Sequence, residues 1–349
     1  MNADFQTIIG ATDVERRDLF LGAAGRLGTP VQNVEKDFWV CWTLDALFNG
    51  LPADGPRLLF KGGTSLSKAF GLISRFSEDI DITVFREDLG QPLEAADLDG
   101  LTGKKRRAKL DAIRDACKTY IATAFTKQLN DLAAEAMTKA SFRIEPDPDD
   151  KDGQTVLFWY PAVTAAEGDY IRAAVKIEAG AKSALDPHIA ATVTPYVAED
   201  LPDLNLNVGN VTTVKPERTF WDKVMILHGL CQWYEKRGEL RHGGQRVSRH
   251  YYDIYRLAHA QGLEGWQADQ ALAKDCATHA RLFFGSPDLG LETAAAGSFT
   301  LNPNQKMRSD LEKDYTAMSG MIFGNIPTLD MVLATVTAMQ QQLNSVMVK

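Results

Sequence analysis

Hydrophobic and polar positions divide the chain into a mixed first half and a helical second half, with the change near residues 205–215. Apolar side chains recur at helical spacing in Val14-Glu-Arg-Arg-Asp-Leu-Phe-Leu-Gly-Ala-Ala-Gly-Arg-Leu27. A second helix is predicted from about Gln32 to Phe48 through Asp37-Phe38-Trp39-Val40, ended by Asn49-Gly50 and the Pro52 to Pro56 loop. Leu58-Leu59-Phe60 then reads as a short strand, Lys61-Gly62-Gly63-Thr64-Ser65 as a glycine turn, and Leu66–Ile73 as the following helix. The next strand, Asp79 to Phe85, alternates cleanly: Ile80, Ile82 and Val84 on one face, Asp79, Asp81 and Thr83 on the other.

Residues 92–103 read as loop, and a basic-to-amphipathic helix follows from about Lys104 to Lys139. Phe142-Arg-Ile-Glu145 is a further strand, and Pro146-Asp-Pro-Asp-Asp-Lys-Asp-Gly153 a turn. Thr155–Tyr160 and Tyr170–Glu178 look like two strands of a hairpin closed by 161–169. Helices are expected at 216–236, 248–261, 266–284, 305–319 and 328–347, the first opened by Pro216 with Glu217 at its positive end.

A length of 349 residues suggests about two domains and a large core without disulfide staples. Apolar residues at 45% and charged residues at 24% exclude wholesale disorder and collagen-like structure. The formal charge of −8 excludes a generally basic coat, so any nucleic acid would be held by a local positive patch. Cys41, Cys117, Cys231 and Cys276 are far apart and form no CxxC pair, which removes zinc-ribbon and disulfide frameworks and suits buried, reduced cytosolic thiols. The first residues carry no basic region followed by an apolar run, so no signal peptide is visible. No apolar stretch approaches the ~20 residues needed to span a bilayer.

Candidate chemistry centres on the glycine turn followed by Asp79-x-Asp81. Two carboxylates at i and i+2 on a strand share a face and repel unless a cation neutralises them. A pair of Mg²⁺ ions would do so while gripping a triphosphate, and would activate the attacking oxygen and stabilise the leaving one. Backbone N–H groups of Gly62, Gly63, Thr64 and Ser65 at the start of a helix would form an anion cradle. Asp-x-Asp alone also occurs on solvated strand faces; its combination with strand, GG[ST] and helix is the sharper signal. The turn is not a Walker A loop, since no GxxxxGK[ST] occurs.

Phe60-Lys-Gly-Gly-Thr-Ser-Leu-Ser-Lys-Ala-Phe-Gly-Leu-Ile-Ser-Arg-Phe-Ser-Glu-Asp-Ile-Asp-Ile82 closely resembles the signature of the AbiEii/AbiGii toxin nucleotidyltransferases, within the polymerase-beta-like superfamily. The resemblance implies an α+β fold: a mixed-sheet nucleotidyltransferase core over residues 1–210 and a C-terminal helical bundle over 211–349. It also implies a toxin of a toxin–antitoxin or abortive-infection system. Some members, the MenT-type toxins, add nucleotides to tRNA 3′ ends.

The resemblance extends downstream. Ile171-Arg-Ala-Ala-Val-Lys-Ile-Glu178 resembles the strand bearing a third carboxylate, so Glu178 would join Asp79 and Asp81 as metal ligand and Lys176 would neighbour a phosphate. Pro216 to His228 resembles a helix whose lysine, Lys223, would reach triphosphate oxygens; Arg218 and Asp222, four apart, can pair on it. Arg249-His-Tyr-Tyr-Asp-Ile-Tyr-Arg-Leu257 resembles a motif whose aspartate is Asp253, which would either hold Lys223 or orient the acceptor hydroxyl. Tyr251, Tyr252 and Tyr255 read as packing. Glu35-Lys-Asp-Phe-Trp-Val40 looks like the family's first helix, and Met321-Ile-Phe-Gly-Asn-Ile-Pro327 like a C-terminal segment of one subgroup; 92–150 and 260–320 match loosely.

The implied activity is NMP transfer from an NTP to an acceptor hydroxyl, with Mg²⁺ (or Mn²⁺) and release of pyrophosphate, in a cytoplasmic protein with no membrane partner. A tRNA 3′ end leads as acceptor, by family analogy. Competing readings are nucleotidylation of protein Ser, Thr or Tyr, and an inactive GTP-binding regulator. Lys104-Lys-Arg-Arg-Ala-Lys109 and the cluster Lys236, Arg237, Arg241, His242, Arg246 and Arg249 are candidate RNA contacts. An antitoxin encoded nearby is the expected partner.

Overall fold

The computed structural model describes residues 1–77, 79–164, 173–244 and 246–345. The chain forms two compact units. The first comprises Met1–Ala69, Phe76–Leu93 and Leu101–Val214; the second comprises Phe70–Arg75, Glu94–Gly100 and the chain from Lys215 on.

The first unit is built on strands β1 (Leu58–Lys61), β2 (Asp79–Val84), β3 (Arg143–Pro146), β4 (Thr155–Trp159), β5 (Ala174–Gly180), β6 (His188–Val193) and β7 (Val208–Val214). They form one mixed sheet in the order β3-β4-β5-β2-β1-β7-β6. The β2–β5 and β1–β7 pairs are parallel and the other neighbours antiparallel. Ile80, Ile82 and Val84 are buried, as their alternation requires.

The helix Val31–Asp45 packs on β2, β5 and β7 and is buried on nearly every side. Such a helix is a core element rather than an amphipathic cover. Trp39 stacks on Tyr160 at 5.4 Å and Trp42 meets Phe158 at 5.2 Å, which seats the helix over the β4 end. Its charged residues are buried and therefore partnered. Glu35 accepts from the backbone N–H groups of Val163 and Thr164 at 2.7 and 2.9 Å. Asp37 accepts from the Tyr196 N–H at 2.7 Å and meets Lys68 Nζ at 2.7 Å.

Several elements depart from the sequence pattern. The helix after β1 is Gly62–Lys68, beginning inside the glycine turn and ending three residues before Gly71, which takes φ +63°. The run expected from Lys104 to Lys139 is continuous but changes pitch: Gly103–Tyr120, a π-helical turn Ile121–Phe125, then Thr126–Ala136. Residues 92–103 contain the short helix Ala95–Leu98. The helix expected at 266–284 is two, Leu263–Ala268 and Gln270–Phe283, because the Asp269 side chain accepts from Leu272 N–H and restarts it. β6 and β7 have no counterpart in the pattern. Of the strand expected at 170–178, the first three residues lie outside the described residues, as do 165–169 of the preceding loop.

In the second unit the helix Pro216–Arg237 starts with proline and ends at Gly238, which takes the left-handed conformation at φ +71°. It packs against Gln270–Phe283 and Ser248–Leu257. Ser248–Leu257 in turn packs against Gln305–Ser319 and Leu329–Ser345. An α+β mixed sheet and a helical unit are thus both present, as expected. All four cysteines are buried and free. Among the described residues no helix is long and apolar enough to cross a membrane.

Candidate active site

In the parallel β2–β5 ladder Asp79 stands opposite Lys176 and Asp81 opposite Glu178. Directly paired residues share a face, so the four charged side chains emerge together while Ile80 and Ile177 enter the core. On the other flank of β2, Asp81 pairs with Lys61 of β1, whose Nζ lies 3.9 Å from Asp81 Oδ1.

Gly62 follows Lys61 with φ +80°, and a Cβ placed on it would lie 2.1 Å from Asp81 Oδ2. The glycine is needed twice over, for its backbone angle and for the room its missing side chain leaves. Thr64 donates to the Asp79 carbonyl oxygen and shares a hydrogen bond with the Ser77 hydroxyl. Ser65 Oγ donates to the Gly62 carbonyl at 2.9 Å. Both hydroxyls thus fasten the turn to β2 and to itself. Gly63 lies in the first turn of Gly62–Lys68.

Lys176 Nζ lies 2.7 Å from Glu178 Oε1 and 3.4 Å from Asp147 Oδ2. Burial alone would lower the ammonium's pKa, but Glu178, Asp79 and Asp147 together raise it above the ordinary lysine value. Lys176 is therefore a resident cation among carboxylates. Among the described residues no three His, Cys, Asp or Glu side chains form a metal-holding group, and Glu178 turns to Lys176 instead. Asp79 and Asp81 are hard oxygen donors on one face, the donor chemistry that suits Mg²⁺.

In the second unit the other two predicted residues meet: Lys223 Nζ lies 2.7 Å from Asp253 Oδ2. The same carboxylate receives Arg75 in a two-pronged contact, Nε to Oδ1 at 2.8 Å and Nη2 to Oδ2 at 2.9 Å. All three side chains are buried, Asp253 completely. Burial alone would raise the Asp253 carboxyl, but the Arg75 and Lys223 cations hold it well below the carboxylate range. For Lys223 burial dominates and, with Arg75 and Arg249 nearby, lowers the ammonium despite Asp253. His250 is held neutral, its pKa lowered well below the usual value by burial and by Lys223 and Arg249. The Phe70–Arg75 segment is pinned beside them: Tyr252 Oη and Phe323 N–H both donate to the Ser74 carbonyl, at 3.2 and 2.9 Å.

Arg218 pairs with Asp222 at 3.3 Å, as its spacing predicts, and also with Asp275. Sequence reading assigned no role to Arg75, although it lies inside the signature segment, nor to Lys61 or Asp147.

A glycine turn beside an acidic strand face, with a third acid on the parallel neighbour, is the candidate site. The family model that matches describes the nucleotidyl transferase AbiEii toxin of type IV toxin–antitoxin systems, over residues 45–336. That is most of the chain: the protein belongs to this family and is a nucleotidyltransferase. Among solved structures it is similar to MenT4, a nucleotidyltransferase toxin from Mycobacterium tuberculosis H37Rv, with 14% identity and a TM-score of 0.47 over 97% of this chain and 91% of that one. No curated protein sequence matches.

Proposed function

We propose that the protein transfers NMP from an NTP to a hydroxyl of RNA, a tRNA 3′ end being the leading acceptor. The observation that carries this reading is the Asp81 carboxylate, opposite Glu178 and lying in the space left by Gly62. The acceptor hydroxyl oxygen bonds to the α-phosphorus as its proton passes to water, the bond to the bridging oxygen breaks, and pyrophosphate leaves. Mg²⁺ or Mn²⁺ held by Asp79 and Asp81, with Glu178 when it leaves Lys176, would supply neutralisation of the phosphate charge. The backbone N–H groups from Gly62 to Ser65 bind phosphate oxygens, and Lys176 screens the acids from one another. Lys223, fixed by Asp253, serves the triphosphate as a compact cation. Most of the acceleration then comes from positioning and fixed charge. A cognate antitoxin is the partner that membership of a toxin family implies.

The test is incubation with each labelled NTP, divalent metal, and either total tRNA or cell protein. Label is expected in RNA, with pyrophosphate released, and Asp79→Ala is expected to abolish it while leaving the melting temperature unchanged. Label in protein alone would replace RNA by protein as the acceptor. Full transfer by Asp79→Ala would remove the metal-holding role of β2.

A further inference from the structure

The helix Gly103–Tyr120 opens on five cations within six positions, Lys104, Lys105, Arg106, Arg107 and Lys109. All are exposed except Arg106, which is half-buried. Among the described residues only Arg107 has a carboxylate near, Asp111 at 3.8 Å. Two of the later cations of the helical run, Arg114 and Lys127, are instead paired. Arg114 pairs with Asp111 at 2.8 Å and Asp115 at 2.9 Å, and Lys127 with Asp131 at 2.6 Å.

Neither folding nor packing calls for this basic start. The first turn contains no acidic residue, so its lysines stand at the end where the helix macrodipole is already positive. Lys105 and Lys109 repel each other at i and i+4. The buried face begins only at Ile113 and continues through Cys117 and Tyr120. At ~1.5 Å per residue, Lys104 therefore precedes the packed part by about 14 Å. The packed part rests against β5, the strand of Lys176 and Glu178.

We propose that this basic helix end is the surface that binds the sugar–phosphate backbone of RNA. It deepens the reading of RNA as acceptor and rests on it for the choice of polyanion. The support is charge complementarity: five cations, four of them with no carboxylate near among the described residues, concentrated in one place on a chain of net charge −8. Side chains at i, i+3 and i+4 stand about 5–6 Å apart, so each can meet a separate phosphate. Such contacts carry affinity without sequence preference and are lost as salt rises.

The experiment compares the full chain with its Lys104→Glu/Lys105→Glu/Arg107→Glu/Lys109→Glu variant, using end-labelled bulk tRNA and fluorescence anisotropy over a salt series. The variant is expected to bind at least tenfold more weakly. Its plot of log affinity against log salt should flatten by about 3, at ~0.7–0.9 per phosphate contact removed. Lys127→Glu, whose lysine is already paired, should bind like the parent. The melting temperature of the quadruple variant should hold or rise, since its new acids suit the helix start. Equal affinity and slope in parent and variant would overturn the proposal, as would a parent that binds anionic phosphatidylserine vesicles but no tRNA. The acceptor reading is judged separately: a parent that binds tRNA through this face but labels only protein keeps the surface and loses the RNA acceptor. A parent that labels RNA while the variant binds it equally well does the reverse.

Discussion

The Asp81 carboxylate lies in the space that a side chain at Gly62 would fill, with its Oδ2 only 2.1 Å from where a Cβ would stand. The closeness of turn and strand at this point brings the backbone N–H groups of the turn and the acids of β2 into one small region.

Gly62→Ala should therefore impair the site more than the fold. The left-handed backbone costs a non-glycine residue roughly 1–2 kcal/mol, and Asp81 must also swing away. A misplacement of about 1 Å at a reacting centre can cost about 100-fold in rate. Transfer should fall by that order in the labelling assay while a soluble, folded protein is recovered.

Lys176, 2.7 Å from Glu178, would compete with a metal ion proposed to lie among the acids of β2 and β5. Lys176→Met should raise Mn²⁺ affinity several-fold, read as loss of the free-ion signal by electron paramagnetic resonance, because a positive charge beside the carboxylates is removed. Asp147→Asn should act in the opposite sense on Lys176, freeing it to hold Glu178 more closely and weakening Mn²⁺ binding. Unchanged affinity in both variants would mean that Lys176 does not share the acids proposed to hold the metal.

Asp253 balances two buried cations. Asp253→Ala leaves Arg75 and Lys223 buried together without a counter-ion, a change that typically costs about 3–5 kcal/mol. Urea unfolding should show that loss, and a double-mutant cycle between Arg75→Met and Asp253→Ala should show strong coupling.

The same carboxyl sets an acid limit. Its folded pKa is depressed below the unfolded value of about 3.9. Its contribution to stability is thus complete at pH values above that, and is lost as pH falls through the lower folded value. Melting temperatures of parent and Asp253→Asn should converge as the pH drops below about 4. A constant difference down to pH 2 would count against an ionised Asp253.

Asp37 and Lys68 form a buried pair in the first unit, at 2.7 Å. Lys68→Met should destabilise by about 3–5 kcal/mol, whereas Lys68→Met/Asp37→Leu should recover much of the loss, since well-packed apolar residues replace buried ion pairs at little cost. Urea midpoints of the three proteins give the comparison.

The features legible in the sequence were local. The alternation of Asp79 to Val84 revealed both strand and face, and the charge pattern of Lys176 and Glu178 predicted a half-exposed neighbour. β7 escaped because Gly209-Asn210 reads as a turn. In the structure Asn210 takes φ +58° inside the strand, where the β6 register slips between Ala191 and Val193. A bulge uses the same residues as a turn, and only the partner strand distinguishes them. The contacts made by Arg75 were hidden for a different reason. Its carboxylate partner lies 178 residues away, and no periodicity carries information over that distance. Asp253 was legible as a partner for Lys223 only through the family resemblance; its complete burial was not legible, because burial of a charge depends on what packs over it.

The signature segment is not confined to one unit. Between the glycine turn and β2 the chain passes into the helical unit at Phe70–Arg75 and then returns. A truncation after Val214 would keep every acid of the sheet face yet strip Arg75 of Asp253, and the remaining piece would strip Asp253 of Arg75. The two units are thus interleaved within the segment that resembles the family signature, so no single cut of the chain separates one from the other intact.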